Sequence, residues 1–208
     1  MWHVVVPLKG SPDAKSRLAL PQVVRLGLVR AMAADTVAAL AATPDVLKIS
    51  ILGRTPDLGL SDSAAADADV VVQPHGMSSL SQALMWFSSE QADPSVPLAV
   101  VVADLPALRP QSMAQVLQLA LRHRQATVDD VDERGTTVLT ARDPVDLQPH
   151  FGDRSAAAHR KTGAVLLSAG LDVRSDVDTV GGLRRAQRLG LGPHTAALLA
   201  ETEHGALD

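Results

Sequence analysis

The chain has 208 residues, 46% of them hydrophobic and 20% charged, with 23 Asp and Glu against 19 Lys and Arg and a formal net charge of −4. That is enough apolar material for a sizeable core. The acid-leaning balance, together with only two Trp, two Phe and no Tyr, argues against a protein that grips nucleic acid by charge or base stacking, and the absence of Cys excludes disulfides, a thiol nucleophile and a Cys-built zinc site.

The chain opens on a strand pattern, Trp2-His3-Val4-Val5-Val6, which leaves no room for a signal peptide. No apolar run reaches the roughly 18 residues of a membrane span. The expectation is a cytoplasmic protein with no membrane or nucleic-acid partner. Short β-branched runs predict strands at 4–8, 47–52, 70–72, 98–103, 137–141 and 164–167, several of them apolar throughout, as in strands buried on both faces of a parallel sheet. Helical periodicity predicts helices at 22–42, 79–90, 111–124, 179–189 and 193–201. In the first of these, Val24, Leu28, Met32 and Val37 share a face, with Arg25, Arg30 and Asp35 off it. The small, polar stretch 61–69 reads as a helix or loop within the domain. Such alternation implies right-handed βαβ units and one three-layer α/β/α domain across residues 1–208.

In open α/β sheets, ligands sit beyond the carboxyl ends of the strands. After the first strand, Lys9, Lys15 and Arg17 place three cations within nine residues, a composition suited to a polyphosphate or simply to a surface loop. The match to a P-loop fails: Ala14 stands where the second glycine belongs, and Pro12 removes a donor. After the strand at 98–103 comes Asp104, which could hold Mg²⁺ or serve as a turn residue before Pro106. In Asp176-Val177-Asp178-Thr179, the two carboxylates share a face if the segment is extended. Capping of the following helix accounts for Asp178 or Thr179 but not for Asp176. The acidic patch at 129–133 reads as a solvated turn rather than a site. The basic stretch at 151–163 is punctuated by glycines, and Ser155 is a candidate cap for a short helix over 156–160 that would aim N–H groups at an anion. His159 reads as a surface residue or one standing behind a site, because no second His lies at ligand spacing.

Val6-Pro7-Leu8-Lys9, Ala14-Lys15-Ser16-Arg17-Leu18, Asp104-Leu105-Pro106-Ala107-Leu108, Phe151-Gly152-Asp153-Arg154-Ser155 and Asp176-Val177-Asp178-Thr179 occur in one order. That series resembles the 2-phospho-L-lactate (phosphoenolpyruvate) guanylyltransferases of coenzyme F420 biosynthesis, over nearly the whole chain. The resemblance implies a nucleotidyltransferase fold of the glycosyltransferase-A type, with a mixed, mostly parallel sheet. It implies transfer of GMP from GTP to phosphoenolpyruvate or 2-phospho-L-lactate with release of pyrophosphate. By the same resemblance Lys9, Lys15 and Arg17 bind the GTP phosphates, and Asp104, Asp176 and Asp178 hold Mg²⁺. Thr136, Gly152 and Ser155 cradle the acceptor, and Lys9, Lys15 and Asp104 serve catalysis. Where relatives read Leu-Asn near the base pocket, this chain has Leu80-Ser81-Gln82, which moves base contact to Ser81, Gln82 or the backbone. A homodimer is one assembly this reading admits. The alternatives are a nucleotidyltransferase with a sugar-phosphate or molybdopterin acceptor, or a nucleotide-binding protein without catalysis. The three aspartates together weigh against the last.

Overall fold

The computed structural model describes residues 1–8, 15–18, 20–54 and 68–204. Among them, β1 (Trp2–Pro7), β2 (Val46–Gly53), β3 (Asp69–Val72), β4 (Leu98–Val101), β5 (Gln125–Asp129), β6 (Thr136–Ala141) and β7 (Val165–Leu166) form one sheet in the order β3-β2-β1-β4-β6-β5-β7. β1 pairs in parallel with β2 and β4, β2 with β3, and β5 with β7. β6 runs antiparallel to both its neighbours. The reversal brings the start of β6, at Thr136, to the same edge as the carboxyl ends of β1, β4 and β5. That edge carries the site.

The strand residues divide by parity between two cores, as the pleat requires. Trp2, Val4 and Val6 of β1 and Ala99 and Val101 of β4 pack with α1 (Gln22–Ala41) and α3 (Pro110–Ala120). Val5, Leu98 and Val100 face the other way, against Ala83, Leu84 and Phe87 of α2 (Leu80–Glu90). Every residue of β1 and β4 is buried, which is why these strands read as unbroken apolar runs. Past the one-turn helix α5 (Leu171–Arg174), a third cluster (Leu18, Leu28, Met32, Ala107, Val177 and Ala186) ties α1 to α6 (Val180–Leu189) beyond the end of β4. α7 (Pro193–His204) docks on α1, where the Asp35 carboxylate accepts the backbone N–H groups of His194 and Thr195 at 2.9 and 2.8 Å and caps that helix.

Each expected strand and helix is present, with two differences. The helix expected at 111–124 ends at Ala120, and β5 follows it, a strand the apolar pattern does not show. Gln125, Thr127 and Asp129 alternate with Ala126 and Val128, yet all five are buried. Polar residues occupy three of the five positions of a fully covered strand, so it mimics a solvated segment. Residues 61–67 of the small polar stretch lie outside the described residues, and Asp69 opens β3. No helix among the described residues is long and apolar enough to cross a membrane.

Candidate active site

Asp104 sits just past β4, and its backbone is clamped from two sides. The buried Thr36 hydroxyl of α1 accepts the Leu105 N–H at 3.2 Å and lies 3.2 Å from the Ala103 carbonyl. Val177 donates its backbone N–H to the Asp104 carbonyl at 3.1 Å. The Val177 side chain is fully buried in the third cluster. Its neighbours in the extended segment therefore point the opposite way. The result is a cluster in which Asp104, Asp176 and Asp178 each offer a carboxylate oxygen, all within 4.8 Å of one another.

Lys15, in the turn before Leu18, enters this cluster. Its ammonium donates to Asp104 Oδ2 and, at 2.5 Å, to Asp178 Oδ1. Burial alone would lower the pKa of that ammonium, but Asp104 and Asp178 outweigh it and hold it above the ordinary lysine value. Asp176 has no such partner among the described residues. Burial first, then repulsion from Asp104, Asp178 and Asp130, push its carboxyl well above the usual carboxylate range, and Lys15 offsets this only in part. Three converging carboxylates against one ammonium form an electrostatically unbalanced set of hard oxygen donors. Such a donor set suits a divalent cation of the Mg²⁺ type.

The cluster lies on the seam between two cavities. One, of about 340 Å³, is lined largely by apolar groups, among them Pro7, Leu8, Val29, Leu80 and Val102, with Lys15, Asp104 and Asp178 at its border. The other, of about 520 Å³, is lined by Arg17, Arg134, Arg154 and Arg185 together with Gly135, Gly152, Asp176 and Asp178. Asp178 borders both. No aromatic ring lines either cavity: Trp2 and Phe87 are in the core, and Trp86 and Phe151 pack against the α2 cluster.

Of the residues expected to form the site, Lys15, Arg17, Asp104, Asp176, Asp178 and Gly152 lie on this seam or its walls. Lys9 lies outside the described residues. Gly152 has φ +146°, a conformation that favours glycine, at the turn that opens the basic segment. Ser155 does not cap a helix over 156–160. The helix α4 (Ser155–Lys161) begins with Ser155 itself, and Arg154, at φ +55°, stands at the cap position with no side-chain capping bond. Ser155 is buried, and its N–H reaches the Gly152 carbonyl at 3.3 Å. Thr136 is buried behind Gly135, with Oγ1 2.9 Å from Nδ1 of His159. Ser81 lies in the first turn of α2, next to the cavity residue Leu80, and its hydroxyl accepts the Phe151 N–H at 3.1 Å. It links the helix beside the apolar cavity to the loop beside the basic one.

Two features sharpen the sequence reading. His159 has no exposed surface and is not a ligand in the cluster, so of the two positions the sequence allowed it takes the one behind the site, against Thr136. The acidic patch is a built turn: Asp130 accepts the backbone N–H groups of Arg134 and Gly135 at 2.9 and 2.7 Å. Asp129 is buried and paired with Arg160 of α4, while Asp130 and Asp132 line the basic cavity. The five-residue spacing from Asp130 to Gly135 between β-prone stretches is the signal that could have found this hairpin.

Comparison with known proteins sharpens this geometry. Residues 2–164 match the family described as "Guanylyl transferase CofC like". A protein of Streptomyces coelicolor named phosphoenolpyruvate guanylyltransferase is 42% identical over 205 residues, covering 96% of each chain. One of the same name from Sanguibacter keddieii is 37% identical over 238 residues, covering 95% of this chain and 84% of that one. Among solved structures, a Desulfovibrio desulfuricans protein described as a nucleotide-diphospho-sugar transferase superposes with a TM-score of 0.70 at 17% identity, over 98% of this chain and 96% of the other. CMP:2-keto-3-deoxy-manno-octonic acid synthetase superposes with a TM-score of 0.56 at 12% identity, over 91% of this chain and 98% of the other. These structural likenesses establish the nucleotidyltransferase fold.

Proposed function

The chain belongs to the family of CofC-like guanylyl transferases, and we propose that it moves GMP from GTP to a three-carbon phosphate, phosphoenolpyruvate in preference to 2-phospho-L-lactate, in the assembly of coenzyme F420. The observation that carries this reading is the seam: a carboxylate cluster and an ammonium between an apolar cavity and a cavity rich in arginine. Pro7, Leu8, Val29 and Leu80 offer aliphatic surface to the nucleoside. Arg17, with Lys9, takes the GTP phosphates, and Ser81 stands in the first turn of α2, next to the cavity residue Leu80. On the other side Thr136, Gly152 and Ser155 receive the anionic acceptor.

In this arrangement the acceptor's phosphate oxygen attacks the α-phosphorus of GTP in line. A new P–O bond forms as the bond to the bridging oxygen of the β-phosphate breaks, and pyrophosphate leaves with that electron pair. A phosphate is already ionised at neutral pH, so no general base is required. Catalysis is positioning and charge neutralisation. Lys15, aimed between Asp104 and Asp178, brings a fixed positive charge to the place where charge builds up. Asp104, Asp176 and Asp178 would hold Mg²⁺, which when bound supplies further neutralisation of the phosphate oxygens.

The test is a screen of purified protein with Mg²⁺, each of the four NTPs and a panel of acceptors, reading pyrophosphate release. The reading expects release with GTP and a three-carbon phosphate. Release only with a sugar phosphate would assign the chain to another nucleotidyltransferase activity, and GTP binding without release for any acceptor would make it a binding protein.

A further inference from the structure

Behind the arginine-rich cavity lies a buried histidine that the mechanism above does not use. Among the described residues each ring nitrogen of His159 has one partner: Nε2 is 2.8 Å from the His150 backbone nitrogen, and Nδ1 is 2.9 Å from Thr136 Oγ1. A backbone N–H can only donate, so Nε2 accepts and carries no hydrogen. The tautomer is thereby assigned as neutral Nδ1–H. Burial, with the neighbouring His150 adding to it, lowers the pKa of the ring to about 4, consistent with a neutral imidazole at physiological pH.

The consequence falls on Thr136. An Nδ1–H can only donate, so Thr136 Oγ1 accepts from it. The hydroxyl's own hydrogen must then go elsewhere, and no other partner of Oγ1 exists among the described residues. Thr136 follows Gly135, which lines the cavity. The same imidazole also braces the loop on the cavity's other side. It accepts the His150 N–H, and it meets the Phe151 ring edge-on with centroids 5.0 Å apart, immediately before Gly152.

We propose that His159 is a positioning residue of the acceptor site: through its Nδ1–H it commits the Thr136 hydroxyl to donating its hydrogen to the acceptor's anionic group. This rests on the reading that Thr136 and Gly152 receive the acceptor. A hydroxyl free to rotate spends part of its time presenting lone pairs to an anion; one already accepting from a fixed N–H presents its proton.

Two measurements test it. The first needs no substrate. Nitrogen-15 NMR of the full chain with labelled histidine, His159 being identified by its loss in His159→Asn, should show it at pH 7 as neutral Nδ1–H. An Nε2–H tautomer or an imidazolium overturns the proposal. The second separates substrates kinetically. His159→Gln keeps an acceptor towards His150 but loses the donor towards Thr136, whereas His159→Asn places an amide N–H near the Nδ1 position. The expected result is a roughly ten-fold rise in the acceptor's KM for His159→Gln, matched by Thr136→Val, with the KM for GTP unchanged. The double variant should be no worse than Thr136→Val alone, and His159→Asn should recover most of the loss. Additive losses, or equal rises in both KM values, overturn the proposal in favour of a merely structural histidine. A wild type that forms no product from GTP and phosphoenolpyruvate overturns the guanylyl-transfer reading instead, and the NMR result then decides His159 by itself.

Discussion

Val177 is buried in the core between α1 and α6, and that one apolar side chain turns Asp176 and Asp178 together towards Asp104. The chemistry of the site follows from how unequally the three acids are balanced. Asp104 and Asp178 share the Lys15 ammonium; Asp176 has burial and like charges instead. Removing Asp104 as Asp104→Asn should cut the rate of pyrophosphate release by about 10²–10³-fold while leaving the circular dichroism spectrum unchanged. Retention of full Mg²⁺-dependent activity would remove Asp104 from the site. For Asp176 the raised pKa sets a direction. The folded chain keeps this proton at pH values where the unfolded chain has lost it, so the stability this group contributes falls as pH rises from about 3.8 towards 7. Metal-free Asp176→Asn should therefore melt above the wild type at pH 8, by about 2–4 °C for each kcal/mol of strain relieved. The gap should close near pH 4, and the same variant should be inactive. Equal or lower melting at pH 8, read by calorimetry in chelator, would contradict the account.

At the scale of elements, the site depends on turns held by groups far away in sequence. Thr36 of α1 satisfies the Leu105 N–H. Thr36→Val strands that buried donor, and should cost about 1–3 kcal/mol in urea unfolding and lower kcat as Asp104 loosens. A stability loss with kcat intact would mean that Asp104 is held by other contacts. α6 approaches equally closely: a Cβ on Gly182 would stand 3.1 Å from the Asp176 carbonyl oxygen. Gly182→Ala should thus displace the Asp176 segment, raising the Mg²⁺ concentration for half-maximal rate several-fold with little change in melting temperature. An unchanged Mg²⁺ requirement would show that the segment can yield.

These elements also show what was readable in the chain and what was not. β1 and β4 were legible because burial on both faces leaves unbroken apolar runs, and the acids were legible because they directly follow strand ends or alternate about a valine. β5 was hidden, because Gln125, Thr127 and Asp129 are buried polar residues in a strand pattern, with Asp129 made tolerable by Arg160, thirty-one positions away. For the same reason the sequence left His159 open between the surface and a position behind the site. Its partners, Thr136 and the His150 amide, converge only through tertiary structure, and nothing in local spacing announces them.

The molecule as a whole divides its charge. A net charge of −4 conceals a cavity wall with four arginines beside the cluster of Asp104, Asp176 and Asp178. The shortage of aromatics has its counterpart in the apolar cavity, which carries aliphatic groups and no aromatic ring. Guanine held there would be read by backbone and small polar groups, so selectivity for GTP over ATP should survive Ser81→Ala more readily than acceptor affinity does, because the Ser81 hydroxyl holds Phe151 rather than facing that cavity. A collapse of base selectivity in that variant, with the acceptor's KM unchanged, would place Ser81 on the base. The most direct measurement of the central claim is mass spectrometry of the products formed by the wild type from GTP, Mg²⁺ and equal amounts of phosphoenolpyruvate, 2-phospho-L-lactate and 3-phosphoglycerate. The account predicts GMP joined through a diphosphate to phosphoenolpyruvate as the dominant new species, with pyrophosphate in equal amount. No GMP-linked three-carbon phosphate, under conditions where the protein binds GTP, would contradict it.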